Sequence, residues 1–226
     1  MSVARNELSF SATPEKGQVS ALCLRPANAT HLLVLGHGAG ADMRSASMEK
    51  IAENLAAHDI ATFRYNFPFK EYGRGGVDSP KTAMATVRAA VAEARRLEPR
   101  LTLLAGGHSF GGRMTTTAQA MEPLGGVKGL VLFSFPLHAP NRPDDSRAVH
   151  LNSIKIPMLF LTGTRDALND LDLFRPVIKK LGKRATLHLI DTGDHSYKVL
   201  KKTRTSTEDV FVEMARVTSG WALGLS

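Results

Sequence analysis

LTLLAGGHSFGGRMTTTAQA, residues 101–120, runs from an apolar segment through two glycine pairs into a helix-compatible segment, with one serine, Ser109, at the turn. An apolar run that stops abruptly and a helix that starts at once require a sharp reversal of the backbone. Gly107 and Gly111, two residues either side of Ser109, spare that reversal the Cβ clashes that would keep strand and helix apart. The spacing G-x-S-x-G in a strand-turn-helix context exposes the serine hydroxyl at the end of a strand and aims a helix N-terminus at it. The pattern alone is weakly specific. Its place between strand and helix gives it force, and it makes Ser109 a candidate nucleophile.

Outward from this turn, short apolar runs alternate with amphipathic stretches. NELSFSA and QVSALCLRP read as an opening antiparallel pair joined at TPEKG, and HLLVLGHGAG reads as a strand buried on both faces. Met48, Ile51 and Leu55 then recur at helical spacing, followed by a strand in IATFRYNFP and a loop in FKEYGRGGVD. Ser79 and Pro80 form an N-cap and first-turn pair for a helix lined by Met84, Val87, Val91 and Ala94. After the serine turn come strands in GLVLFSFP and PMLFLTG with a polar loop between them, a helix stripe of Leu171, Phe174, Ile178 and Leu181, and a last strand in ATLHLIDTG. A closing helix is expected from Ser206, with Asp209 in the capping-box position, burying Val210, Met214, Val217 and Trp221. Strands alternating with helices predict one α/β domain over residues 1–226, a mostly parallel central sheet with helices on both faces and no large cap domain. Ligands in such sheets bind at the carboxyl ends of the strands, so the residues just beyond each strand carry the search for function.

Composition narrows the classes. Hydrophobic residues make up 43% of 226 positions, enough for a large core. No N-terminal apolar stretch resembles a secretory signal, and no apolar run is long enough to span a bilayer, which sets the expectation of a cytoplasmic protein without membrane contact. The single cysteine, Cys23, lies in a strand-like alternation and reads as a buried thiol; no cysteine cluster suggests a metal, and neither metal nor organic cofactor is expected. The net charge of +8 is spread along the chain without a nucleic-acid-binding motif, so no nucleic-acid partner is expected. Oligomeric state is not legible.

A serine hydroxyl needs a base. Among eight histidines, His195 in DTGDHSY follows the last strand and fits best; His31, His58, His138, His150 and His188 read as surface or packing residues. His108 sits inside the turn, with its side chain expected to point away from Ser109. The base in turn needs a carboxylate to fix its tautomer. Asp166, just beyond a strand end and between Ser109 and His195 in the chain, is preferred over Asp191 and Asp194, while Asp170 and Asp172 read as residues of a helix start. For the oxyanion, the backbone N–H of Phe110 is one expected donor, and Ala39 in His37-Gly38-Ala39-Gly40 is the other, with Gly40 in reserve.

Taken together these segments resemble the α/β-hydrolases of the dienelactone-hydrolase-like kind, from HLLVLGHGAG through GDHSYKV. More narrowly, FRYNFPFKEYGRGGVDSP, FSFPLHAPNRPDDSRAVHL and MLFLTGTRDAL resemble the predicted-hydrolase group related to testis-expressed proteins and to subunits of a histone-acetyltransferase complex. Dienelactone hydrolases proper use a cysteine nucleophile where this chain has Ser109, so lactone hydrolysis does not carry over. The resemblance implies the α/β-hydrolase fold; with the residues above, the expected activity is a serine hydrolase acting on a small acyl substrate through Ser109, His195 and Asp166. The alternative is a hydrolase-fold interaction protein with little turnover. Arg44, Lys70, Arg74, Lys198, Lys201 and Lys202 follow strand ends and are candidates for an anion-attracting rim.

Overall fold

The computed structural model describes residues 3–73 and 75–225. Strands β1 (Val3–Thr13) and β2 (Gly17–Pro26) form the opening hairpin, followed by β3 (His31–Gly36), β4 (Ile60–Tyr65), β5 (Thr102–His108), β6 (Val127–Phe133), β7 (Met158–Gly163) and β8 (Ala185–Ile190). They make one sheet in the order β1-β2-β4-β3-β5-β6-β7-β8. β3 to β8 are mutually parallel, and the hairpin joins antiparallel through the pairing of β2 with β4. This is the α/β-hydrolase architecture, with no cap domain.

Alternation explains the continuous apolar runs. Leu32 and Val34 of β3, Leu130 and Leu132 of β6, and Phe160 of β7 point into one core, packed by α3 (Pro80–Leu97), α4 (Phe110–Met121) and α5 (Leu171–Leu181). Their neighbours Leu33, Leu35, Val131, Phe133, Leu159 and Leu161 point into the other, packed by α1 (Ala46–Ala56) and α6 (Val210–Ala222). A strand covered on both faces has no polar side to show in its sequence. Cys23 is buried in the first core, and burial pushes its thiol up to about 11. No helix among the described residues is long and apolar enough to cross a membrane.

The helix starts follow capping chemistry. Ser79 Oγ accepts the N–H of Thr82 at 3.2 Å with Pro80 in the first turn of α3, and Asp170 accepts the N–H of Asp172 at 2.8 Å at the start of α5. The closing helix departs from expectation. It begins at Val210, not Ser206, and Asp209 is its N-cap, accepting from the N–H groups of Phe211 at 2.8 Å and Val212 at 3.4 Å. Ser206 is spent on a local turn, accepting from the N–H of Glu208. The carboxylate wins because it satisfies two free donors and meets the positive end of the helix. Val217 and Trp221 are only partly buried, while Val210 and Met214 are in the core. The stretch read as a loop after β4 contains a four-residue helix, α2 (Pro68–Glu71), and the loop between β6 and β7 carries a 3-10 segment, Ser146–Ser153.

The turn around Ser109 is a tight junction between β5, α4 and the end of β3. A Cβ on Gly111 would lie 2.3 Å from the carbonyl oxygen of Gly36 and 2.8 Å from that of His37. Gly111→Ala is therefore expected to destabilise by about 1–3 kcal/mol or more, lowering Tm by roughly 2–4 °C per kcal/mol for a chain of this size. Gly220→Ala in α6, where an added Cβ meets nothing within 4 Å, is the matched control and is expected to be neutral or stabilising. Thermal unfolding of the two variants checks this, and equal Tm values would contradict the close approach.

Candidate active site

Ser109 joins β5 to α4 with φ of 50° and ψ of −110°. That left-handed conformation is unfavourable for a residue with a Cβ, and it persists because the surrounding glycine contacts over-determine it. The backbone N–H of Ser109 donates to the carbonyl of Phe133 on β6, and that of Gly111 donates to His37 beyond β3, at 2.9 and 3.0 Å. Three strand ends thus hold the turn. The N-terminus of α4 points its free N–H groups toward the serine, a setting that favours developing negative charge.

Ser109 Oγ lies 2.8 Å from His195 Nε2, and His195 Nδ1 lies 2.9 Å from both carboxylate oxygens of Asp166. With Nδ1–H donating to Asp166, Nε2 is free to accept the serine proton. The Asp166 carboxylate is completely buried and also accepts the N–H of Leu168 at 2.8 Å, whereas the His195 ring stays partly open to solvent. The loops bearing Asp166 and His195 meet because β7 ends in Gly163, where a Cβ would sit 2.3 Å from the carbonyl oxygen of Gly193. Arg165 N–H closes that approach with a 2.8 Å bond to Gly193. Beneath the histidine, Tyr197 is buried and its hydroxyl donates to Leu161 of β7 at 2.8 Å.

The competing carboxylates have other partners. Asp194 Oδ1 accepts from the N–H groups of Ser196 and Lys198, and Asp191 accepts from Thr205. His188 pairs with Glu213. His150 bonds the hydroxyl of Thr116, and His138 Nε2 accepts from the N–H of Asp170. His108 does not reach Ser109 Oγ; its Nε2–H donates to the backbone carbonyl of His195 at 3.0 Å, linking the serine turn directly to the histidine loop. Burial pushes the His108 ring down to about 4, so it is neutral at neutral pH.

The loop after β3 is held by His37. Its Nδ1–H donates to the carbonyl of Gly38 at 2.8 Å, and its Nε2 accepts the N–H of Phe67 at 3.1 Å. Burial lowers this ring too, to about 4, which keeps Nε2 an acceptor. Because the Gly38–Ala39 peptide is trans, anchoring its carbonyl on one side turns the Ala39 N–H to the other. Among the described residues no protein acceptor takes the N–H of Ala39 or of Phe110.

A cavity of about 300 Å³ opens at Ser109, with Ala39, Phe110, Arg113, Met114 and Arg147 on its walls. Gly40 is not on its wall. The bases expected at the rim lie elsewhere: Arg44 pairs with Glu7, the Lys70 ammonium sits 6.0 Å from the Phe69 ring centre, and Lys201 lines a separate hollow near the start of α6. Neither Lys198 nor Lys202 lines the cavity, and Arg74 falls outside the described residues. The arginines that do line it, Arg113 and Arg147, went unremarked in the sequence. The sequence does carry a signal for Arg113, which stands one helical turn after Ser109, and none for Arg147, because nothing in a polar loop says which way it folds. Among the described residues, no cluster of three or more His, Cys, Asp or Glu is placed to hold a metal ion.

A family model described as an alpha/beta hydrolase domain matches residues 29–223. The fold is similar to that of a dienelactone hydrolase from Anabaena variabilis, with a TM-score of 0.78 at 18% identity, covering 100% of this chain and 99% of the other. It is similar to Est1E from Butyrivibrio proteoclasticus, with a TM-score of 0.74 at 15% identity over 97% of this chain and 98% of that one; Est1E has also been solved with ferulic acid bound. A serine hydrolase without a lid from Xanthomonas campestris matches with a TM-score of 0.69 at 19% identity, covering 95% and 94%.

Proposed function

The chain belongs to the alpha/beta hydrolase domain family, and from that membership we propose that it is a serine hydrolase cleaving a carboxylic ester or related acyl bond. The observation that carries the reading is the hydrogen-bonded chain from Ser109 Oγ through His195 to a buried Asp166. Within the family we place it with the predicted-hydrolase group that FRYNFPFKEYGRGGVDSP and FSFPLHAPNRPDDSRAVHL resemble.

In the proposed reaction Ser109 Oγ attacks the ester carbonyl as His195 Nε2 takes its proton. The carbonyl oxygen becomes an oxyanion, received by the N–H groups of Phe110 and Ala39, both of which lack a protein acceptor. The intermediate collapses with cleavage of the bond to the alcohol oxygen, and His195 returns its proton to that oxygen. Water, deprotonated by the same histidine, then attacks the acyl carbon; the second tetrahedral intermediate collapses with cleavage of the bond to Ser109 Oγ, His195 returns the proton to that oxygen, and the acid leaves. Asp166 accepts the Nδ1–H throughout, fixing the tautomer and stabilising the imidazolium. His108 and His37 act as positioning residues, the first on the backbone of the base and the second on the Ala39 peptide.

The test is a panel of p-nitrophenyl esters from acetate to octanoate. Turnover is expected, with kcat/KM highest for the shorter acyl chains, because a cavity of about 300 Å³ lies at the small end of ligand sites. No turnover of any member by folded protein would overturn the reading. Esterase neighbours such as Est1E, solved with ferulic acid, fit a small acyl ligand of this size class.

A further inference from the structure

Two arginines share the wall of the Ser109 cavity, and neither forms an ion pair within 4.0 Å among the described residues. Arg113 lies in the first turns of α4. Its backbone N–H donates to the carbonyl of Ser109 at 3.0 Å, so it stands one helical turn from the serine, on the same face. Among the described residues its guanidinium has no hydrogen-bond partner. Arg147 comes from the 3-10 segment between β6 and β7, where its Nη1 donates to the carbonyl of His138 at 2.7 Å. That one bond fixes the direction of the side chain and leaves its remaining donors unused.

Like charges in a partly buried cavity repel. Burial, and then Arg147, lower the pKa of Arg113 below the usual guanidinium value. The other ionisable groups around the pair offset its charge only in part, and none pairs with either guanidinium. His150 is held by Thr116, and burial together with Arg113 pushes its ring down to about 4, so it is neutral. Asp78 is the carboxylate on the cavity wall, and one of its oxygens is committed to the N–H of Phe69 at 3.0 Å. Asp144 is exposed; its hydrogen bonds from Ser146, and to a lesser degree the charge of Arg147, hold its carboxyl below the usual range, and it forms no ion pair with that guanidinium. Elsewhere the protein pairs its buried arginines: Arg64 meets Glu49 and Arg204 meets Glu213. In the cavity, no carboxylate of the described residues comes within 4.0 Å of either guanidinium.

We propose that Arg113 and Arg147 form a carboxylate-binding subsite, and that the substrate is a short acyl ester carrying a carboxylate a few carbons from the scissile carbonyl. The proposal rests on the reading of Ser109 as the nucleophile and adds the substrate class to it. Ser109, Arg113 and Arg147 line one cavity of about 300 Å³, so a ligand that meets both the serine and the guanidinium groups is a small one, such as the half-ester of a short dicarboxylic acid. A planar carboxylate matches the guanidinium fork, and a charge-assisted pair is stronger than a neutral hydrogen bond. The anion would relieve the repulsion between the two cations. The excess positive charge that matters here is these two side chains, not the scattered surface lysines.

The experiment compares monoethyl glutarate with ethyl 5-methylhexanoate, its uncharged isostere, by ethanol release at low ionic strength. Wild type is expected to favour the glutarate by about 10-fold or more in kcat/KM. Arg113→Gln and Arg147→Gln are each expected to cut that ratio by about 10-fold, mainly through KM for the glutarate. The ratio is the readout because a variant that merely loosens the fold lowers both rates together. A ratio near one in wild type, or one that neither substitution moves, overturns the subsite while leaving the hydrolase reading intact. If neither ester is turned over, the hydrolase reading is decided by the p-nitrophenyl panel, and the subsite by calorimetric binding of monoethyl glutarate to the Ser109→Ala protein. Binding that Arg113→Gln weakens upholds it; no binding overturns it.

Discussion

Ser109→Ala is expected to lower kcat for any ester the parent turns over by about 10⁴-fold or more, while leaving the fold in place. The hydroxyl contributes no packing: its hydrogen-bond partner is His195 Nε2, and it opens on the cavity. The strain at φ of 50° belongs to the backbone and is the same for alanine, so stability should change little. Substrate binding should survive, because the walls of the cavity are untouched, and the loss should appear in kcat with KM of the same order. Steady-state kinetics with the best p-nitrophenyl ester, paired with a thermal unfolding curve, makes the measurement. Activity near that of wild type in the folded variant would mean that Ser109 does not carry the chemistry.

Asp166→Asn is the second large effect, and it is chemically distinct. The asparagine keeps the volume of the buried carboxylate but offers an N–H2 group to His195 Nδ1. That favours the tautomer protonated on Nε2, which cannot accept the proton of Ser109. A loss of up to about 10⁴-fold in kcat is expected. Asp194→Asn is the comparison, one residue before the histidine. The Oδ1 of Asp194 accepts the N–H groups of Ser196 and Lys198, and an amide oxygen can accept both. Its kcat should stay within about 10-fold of wild type, since neutral acceptors hold such turns nearly as well. Should Asp194 prove the costly position and Asp166 the tolerant one, the acid has been misassigned.

Much of this was legible in the sequence for one physical reason. A parallel sheet buried on both faces writes its strands as unbroken apolar runs, and chemistry in such a sheet collects just past their ends. Ser109, Asp166 and His195 each follow such a run, which is why they were singled out and why the structure brings them together. Details that depend on competition between neighbouring groups were not legible. Ser206 and Asp209 are both good caps, and only the fold shows that the serine is spent on the N–H of Glu208. The bond from His108 to the carbonyl of His195 is not legible, because its partner lies 87 residues away in sequence. The loop after Phe133 looked featureless, yet it delivers Arg147 to the cavity wall. The bases that follow strand ends in the sequence are Arg44, Lys70, Arg74, Lys198, Lys201 and Lys202, whereas the cavity is lined by Arg113 on a helix and Arg147 on a 3-10 segment.

The central claim, that Ser109 is an activated nucleophile, is tested most directly by exposing the wild-type protein to a fluorophosphonate and locating the adduct by mass spectrometry of its peptides. Such a reagent reacts only with a serine whose proton can be removed and whose transition-state oxygen is stabilised, so it needs no knowledge of the substrate. The predicted result is one adduct per chain, on Ser109, that is absent from the Ser109→Ala protein and strongly slowed in Asp166→Asn. A folded wild-type protein that takes up no label, or that takes it up on another serine, would contradict the account.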